Sequence, residues 1–130
     1  MADRDFLAAL EQGMMIAPTD TRLVAELPWN PHPAFAGVFL KHLLKGADTG
    51  GLFSSHLVRV DPGHEIGEHL HEGKYELHEV VAGKGVCLTM GQELQYLPGV
   101  SALMPPDIKH RIVAGDEGVW LLAKFMPALI

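Results

Sequence analysis

Short runs of alternating apolar and polar positions dominate the chain from residue 37 onward. GVFLKHLL, GLFSSHLVRV, YELHEVVA, GVCLTM, ELQYL, VSALM, HRIVA and VWLLAKF are rich in β-branched, leucine and aromatic residues. Turn formers separate nearly all of them: DPG at 61–63, GKG at 83–85, MGQ at 90–92, LPG at 97–99, PPD at 105–107 and GDEG at 115–118. Gly63, Gly83, Gly85 and Gly99 are read as turn residues, since glycine takes left-handed backbone at no steric cost. Strands recurring about every 8–12 residues, with no long helical pattern between them, predict an all-β sandwich or barrel.

Upstream the period changes. In DRDFLAALEQ, residues 3–12, Phe6, Leu7 and Leu10 fall at helical spacing, which predicts a short N-terminal helix. LPWNPHPAFAG, residues 27–37, reads as a loop. There are no repeats, low-complexity tracts or linkers, and 130 residues are expected to form a single domain over 1–130.

Charge narrows the classes of partner. Ten Lys and Arg against sixteen Asp and Glu give a net charge of −6, with the cations scattered. Nucleic acid and anionic membrane surfaces need basic patches, so neither is an expected partner. A lone cysteine, Cys87, excludes an intramolecular disulfide and a multi-cysteine zinc site, and reads as an inert buried thiol. The first residues, MADRDFLAALEQG, lack an uninterrupted apolar stretch of signal-peptide length, and VWLLAKFMPALI is too short to span a bilayer. The expected location is cytoplasmic.

Chemistry concentrates in HLHEGKYELH, residues 69–78. On an extended backbone His69 and His71 share a face, as do Glu76 and His78 in the next strand. A hairpin brings those faces together, and His110 arrives after the turn MPPDIK. Imidazole and carboxylate donors of this kind make an N/O metal site with room for open positions. Whether Glu76 or His78 meets the ion is open at this stage.

The spacing resembles that of the cupin superfamily. Its first motif, G-x5-H-x-H-x(3,4)-E-x6-G, runs here through Gly63, His69, His71, Glu76 and Gly83, over 63–83. Its second, G-x5-P-x-G-x2-H-x3-N, falls on Gly99, Pro105 and His110, over 99–114, with Asp107 replacing the glycine and Ala114 the asparagine. Fifteen residues separate Gly83 from Gly99, the short spacing expected of small single-domain bacterial members. Asp tolerates positive φ better than most residues, so Asp107 keeps the turn, and Ala114 is read as structural.

The resemblance implies a cupin-type jelly-roll β-barrel with one divalent transition metal ion in its mouth. Iron, manganese, nickel, zinc, cobalt and copper all suit such donors. Position by position, the ligands would be His69, His71, Glu76 and His110. It implies a metal-dependent enzyme of dioxygenase or isomerase type acting on a small organic molecule. His78 would then be an acid, base or pocket residue, and His56 is a weaker candidate for the cavity. The alternative is a non-catalytic small-molecule-binding or sensor module of the same fold, since no arginine cluster that could anchor a substrate is visible. Homodimerisation is expected, through the apolar segments at both ends.

Other residues receive plainer readings. Glu68 and Glu72 point away from the ligands by alternation, onto a solvated face. His64 and Glu65 are placed in the loop after Pro62, and His32 and His42 carry no functional assignment. Met90, Met104, Trp120 and Phe125 are read as core or pocket wall.

Overall fold

The computed structural model describes residues 2–130, with side chains from residue 6 onward. Helix α1 (Ala2–Glu11) is followed by a hairpin of β1 (Met14–Ile16) and β2 (Thr21–Leu23) and a 3-10 turn at Val24–Glu26. Next come β3 (Asn30–Pro31), β4 (Val38–Leu44), the one-turn helix α2 (Gly46–Thr49), β5 (Ser54–Val60) and β6 (Glu65–His69). Then follow β7 (Tyr75–Thr89), β8 (Gln92–Tyr96), β9 (Ser101–Met104) and β10 (His110–Met126). The main sheet runs β3-β4-β5-β10-β7-β8, with β6 added to β10 and β9 to β7, every pair antiparallel. The architecture is an all-β jelly roll preceded by a short helix: the pattern predicts the all-β class and the helix, and the resemblance implies the jelly roll.

Alternation along each strand divides two cores. Val58 and Val60 of β5 join Val38, Ile66, Val80, Ile112, Val119, Leu121 and Phe125 in the interior. Leu57, next to Val58 in sequence, turns to the other face and meets Leu7, Val81 and Ala82, with Leu10, Trp29, Trp120 and Leu122 around them. Both faces of β5 are therefore covered, which is why SSHLVRV is buried along nearly its whole length. Burying Leu7 contributes roughly 1.5–3 kcal/mol. A helix as short as α1 is marginal alone in water, so this packing holds it.

The largest departure from the sequence reading concerns GKG and GDEG. They do not end strands. YELHEVVA and GVCLTM are one strand, β7, and HRIVA and VWLLAKF are one strand, β10. The two run paired past a register shift between Ala114 and Val119. There Gly83 and Gly118 take φ of 73° and 79°, and a Cβ on Gly83 would lie 2.1 Å from the Gly118 carbonyl oxygen. These glycines let two long strands turn a corner together, a bulge rather than a hairpin. Gly85 is likewise a strand residue, its missing Cβ replaced by the close approach of Val113.

Smaller corrections follow. Residues 65–69 form a strand, so Glu65 is not in a loop; it forks with the Arg111 guanidinium at 2.6 and 2.8 Å. Met90 is 61% exposed and belongs to no core, whereas Met104 and Phe125 are buried. Asp107 has φ of 65°, the conformation that its place in the turn requires. Among the described residues no helix is long and apolar enough to cross a membrane.

Candidate metal centre

Four side chains from four places in the chain converge inside the jelly roll. His69 ends β6, His71 lies two residues on in the loop, Glu76 is the second residue of β7 and His110 opens β10. One donor atom from each lies within 4.8 Å of all the others, a cluster that could hold a metal ion. The Glu76 Oε1 stands 3.1 Å from His110 Nε2 and 3.4 Å from His71 Nε2. The rings of His69 and His110 are 4.3 Å apart between centroids, and those of His69 and His71 4.9 Å.

The backbone fixes how these rings are oriented. His69 Nδ1 lies 2.7 Å from the Gly67 carbonyl oxygen and His110 Nδ1 lies 3.2 Å from that of Ile108. A carbonyl only accepts, so each Nδ1 carries the proton and each Nε2 is turned inward. Hydrogen bonds of this kind set the tautomer and orientation of metal-ligating histidines. Burial pushes the His69 ring down to about 4, which keeps it neutral and available as a donor. His110 Nε2 and the carboxylate would meet lone pair to lone pair unless the ring is doubly protonated or a cation lies between them. The donor set thus fits a divalent ion: three imidazoles and one carboxylate suit zinc, iron, manganese and related ions.

Glu76 is held from behind as well. Its Oε2 lies 3.0 Å from His78 Nε2, and His78 Nδ1 lies 2.7 Å from the Tyr96 hydroxyl. Burial raises the Glu76 pKa, but the imidazoles of His78, His110 and His71 around it outweigh that, and the group sits well below the usual carboxylate range. An ionised carboxylate only accepts, so His78 Nε2–H donates to it, and in the neutral ring Nδ1 then accepts from Tyr96 O–H. Burial raises the Tyr96 pKa further, which keeps that hydroxyl protonated. His78 is 1% exposed and is not among the residues lining the cavity. It supports Glu76 from the protein side.

Asp107 joins the two motif loops. Its amide donates to the His71 carbonyl at 3.1 Å, and its Oδ1 accepts from the Gly73 amide at 3.3 Å. The aspartate in place of glycine therefore pins the loop that carries His71. Glu68 and Glu72 are exposed, on the outer face that alternation predicts.

The cluster opens into a cavity of about 340 Å³. His69, His71 and Glu76 line it together with Val38, Leu40, Val58, Ile66, Phe125 and Leu129, and His32 and His42 add two more imidazoles. Neither His32 nor His42 was marked by the sequence. His42 could have been, since Val38, Leu40 and His42 share a face by alternation in VFLKHLL. His32 rides on the segment over the cavity, its ring 4.8 Å from Phe35, which in turn stacks on His69 at 5.9 Å. His56 is fully buried behind Phe125, ring centroids 5.6 Å apart, and does not line the cavity.

With fold and cluster in view, comparison with known proteins gives the class. The cupin domain family matches residues 56–123, and the chain belongs to that family. No curated protein matches the sequence. Among solved structures, a predicted oxalate decarboxylase from Thermotoga maritima superposes with a TM-score of 0.73 at 22% identity, covering 79% of this chain and 95% of that one. KdgF from Halomonas sp. gives 0.69 at 21% identity, over 79% and 90% of the two chains. Ectoine synthase from P. lautus gives 0.64 at 21% identity, over 72% and 66%. At these identities the likeness is one of fold.

Proposed function

We propose that this cupin holds one divalent transition metal ion on His69, His71, Glu76 and His110 and is an enzyme that acts on a small organic molecule in the adjoining cavity. The observation that carries the reading is the pair of backbone-tied rings, His69 and His110, whose Nε2 atoms are turned onto the same space as Glu76 Oε1. The ion would polarise a bound oxygen atom as a Lewis acid or, if redox-active, support dioxygen chemistry. The protein would orient the donors through the Gly67 and Ile108 carbonyls, keep Glu76 ionised through His78 and Tyr96, and exclude water with the apolar wall of Phe125, Val58 and Leu129. Oxalate decarboxylase and ectoine synthase, named among the structural neighbours, are names of enzymes that work on small molecules. Dioxygenase and isomerase chemistry both remain within this reading.

The test begins with metal content of the purified chain beside a His110→Ala variant, followed by turnover assays with and without oxygen. Near-stoichiometric metal that is lost in the variant is the expected result. Oxygen-independent turnover would remove the dioxygenase version. Absence of metal after reconstitution with each divalent ion would overturn the reading.

One observation favours a second reading, a ligand-binding or sensor module. Among the described residues lining the cavity there is no lysine or arginine to anchor an anionic substrate. Tight binding of one metabolite without turnover would select it. The expected homodimer belongs to this proposal too. Tyr75, Leu103 and Met126, 46%, 52% and 40% exposed on neighbouring strands β7, β9 and β10, supply an apolar outer face. A monomeric mass in solution would overturn that part.

A further inference from the structure

A second histidine group stands across the cavity from the cluster. His42 on β4 and His56 on β5 are direct cross-strand partners, and their Nδ1 atoms are 2.8 Å apart. His56 Nε2 is 2.8 Å from Ser54 Oγ, and that oxygen accepts from the Leu129 amide at 2.8 Å. His56 and Ser54 are fully buried, while the His42 ring reaches the cavity wall. With Nδ1 turned to His56, the Nε2 edge of His42 is the one left for a ligand. Among the described residues no other hydrogen bond is made by that ring. Phe125 separates this group from the cluster, 5.6 Å from His56 and 4.8 Å from His71 between ring centroids.

Hydrogen-bond accounting leaves the pair two arrangements. Burial and the neighbouring Lys45 lower the His42 pKa, and burial and His42 push His56 down to about 4, so both rings are neutral near pH 7. One proton therefore lies between the two Nδ1 atoms. If His42 supplies it, His56 Nε2–H donates to Ser54 Oγ, and His42 Nε2 faces the cavity as an acceptor. If His56 supplies it, the Ser54 hydroxyl rotates to donate to His56 Nε2, and His42 Nε2–H faces the cavity as a donor. Both arrangements hold the same three protons, one on each ring and one on Ser54. No backbone carbonyl fixes His42, in contrast to His69 and His110.

We propose that His42, backed by His56 and Ser54, is a second ligand-anchoring site that donates or accepts a hydrogen bond to an uncharged polar group, a hydroxyl or carbonyl, at the far end of a small acid. The acid's carboxylate would meet the cluster, and an apolar middle would lie against Phe125, Val58 and Leu40. An uncharged far group is favoured because the lining offers no cation to offset a second buried charge. Only the carboxylate end of this proposal rests on the metal reading.

The experiment titrates the zinc-loaded full chain, by calorimetry, with straight-chain acids of three to six carbons, each paired with its ω-hydroxy analogue and its dicarboxylate. For the best-fitting length the hydroxy acid is expected to bind about tenfold tighter than the plain acid, the worth of one well-made hydrogen bond. In His42→Leu that ratio should fall to about one while zinc affinity stays the same. A ratio of one in the unaltered protein, a ratio untouched by His42→Leu, or tightest binding of the dicarboxylate would each overturn the proposal. If zinc does not bind, the divalent ion that does takes its place; if none binds, the metal reading fails by itself, and 1,5-pentanediol against 1-pentanol on the metal-free chain reads the same ratio. Imidazole nitrogen NMR adds a signature that a merely structural pair would not give. The hydroxylated probe should shift His42 and His56 together, and the plain one should not.

Discussion

The two ends of the cavity use the same side chain in opposite ways. At the cluster, the Nδ1 atoms of His69 and His110 are each tied to the backbone carbonyl two residues upstream, so the inward nitrogen is settled before anything binds. At His42 the partner is another imidazole, which can give or take a proton, so nothing in the backbone decides. A fixed lone pair suits a metal ion; an adaptable edge suits an organic group. What a histidine does here is set less by its own surroundings than by the atom behind it.

Glu76→Gln should break the contrast most severely, because it removes the one charge in the quartet. Changes to groups that merely support ligands cost about 10–100-fold in metal affinity, so loss of a ligand charge should exceed about 100-fold in chelator competition. His42→Leu measured beside it should stay within experimental error. Equal losses in both variants would erase the distinction between the ends.

Acidity tests the His42–His56 end next. His56 is held at about 4 when folded, against 6.5 for an ordinary ring, with His42, Ser54, Phe125 and the Glu76 field around it. Between those values the unfolded chain binds the additional proton and the folded one does not. This part of the stability is intact above about pH 6.5 and falls away as pH drops towards 4, by up to about 3 kcal/mol. Denaturant midpoints taken across that range on the metal-free protein should fall less steeply for His56→Leu. Identical slopes would show that His56 protonates without strain.

Tyr96→Phe should act more gently. It removes the donor that turns His78 Nε2–H towards Glu76, and metal affinity should drop about tenfold with the fold unchanged by circular dichroism. Asp107→Gly should cost least, a few-fold in metal affinity. Faster amide exchange at Gly73 in that variant would mark the released loop, and unchanged exchange would mean that the tether carries no load.

The quartet was legible because its members obey rules that sequence carries directly. His69 and His71 alternate on one face, Glu76 follows after a turn, and His110 comes after a Pro-Pro-Asp turn whose positive φ the aspartate tolerates. The long strands were not legible. Gly83 and Gly118 signal positive φ, but a hairpin and a corner ask the same thing of a glycine, and only the approach of one backbone to the other tells them apart. The His42–His56 contact was invisible for another reason. Alternation gives the face of each residue, whereas their meeting depends on the register of two strands, which is set by packing across the whole sheet. His78 illustrates the limit between these cases. Its face follows from alternation, yet its place behind the carboxylate and not in the cavity depends on where Tyr96 ends β8.

β10 begins and ends at the same carboxylate. His110, its first residue, reaches Glu76 through its ring, and Phe125, near its end, is the strand partner of Glu76 in the sheet. Between them the strand bends around the jelly roll through residues 115–118. In mechanical terms β10 is a hoop, and the quartet is its clasp. An ion seated there would close the hoop, tightening a whole wall of the protein and not merely four side chains. Opening of the far corner, where Gly83 and Gly118 meet, would then depend on whether the clasp is shut.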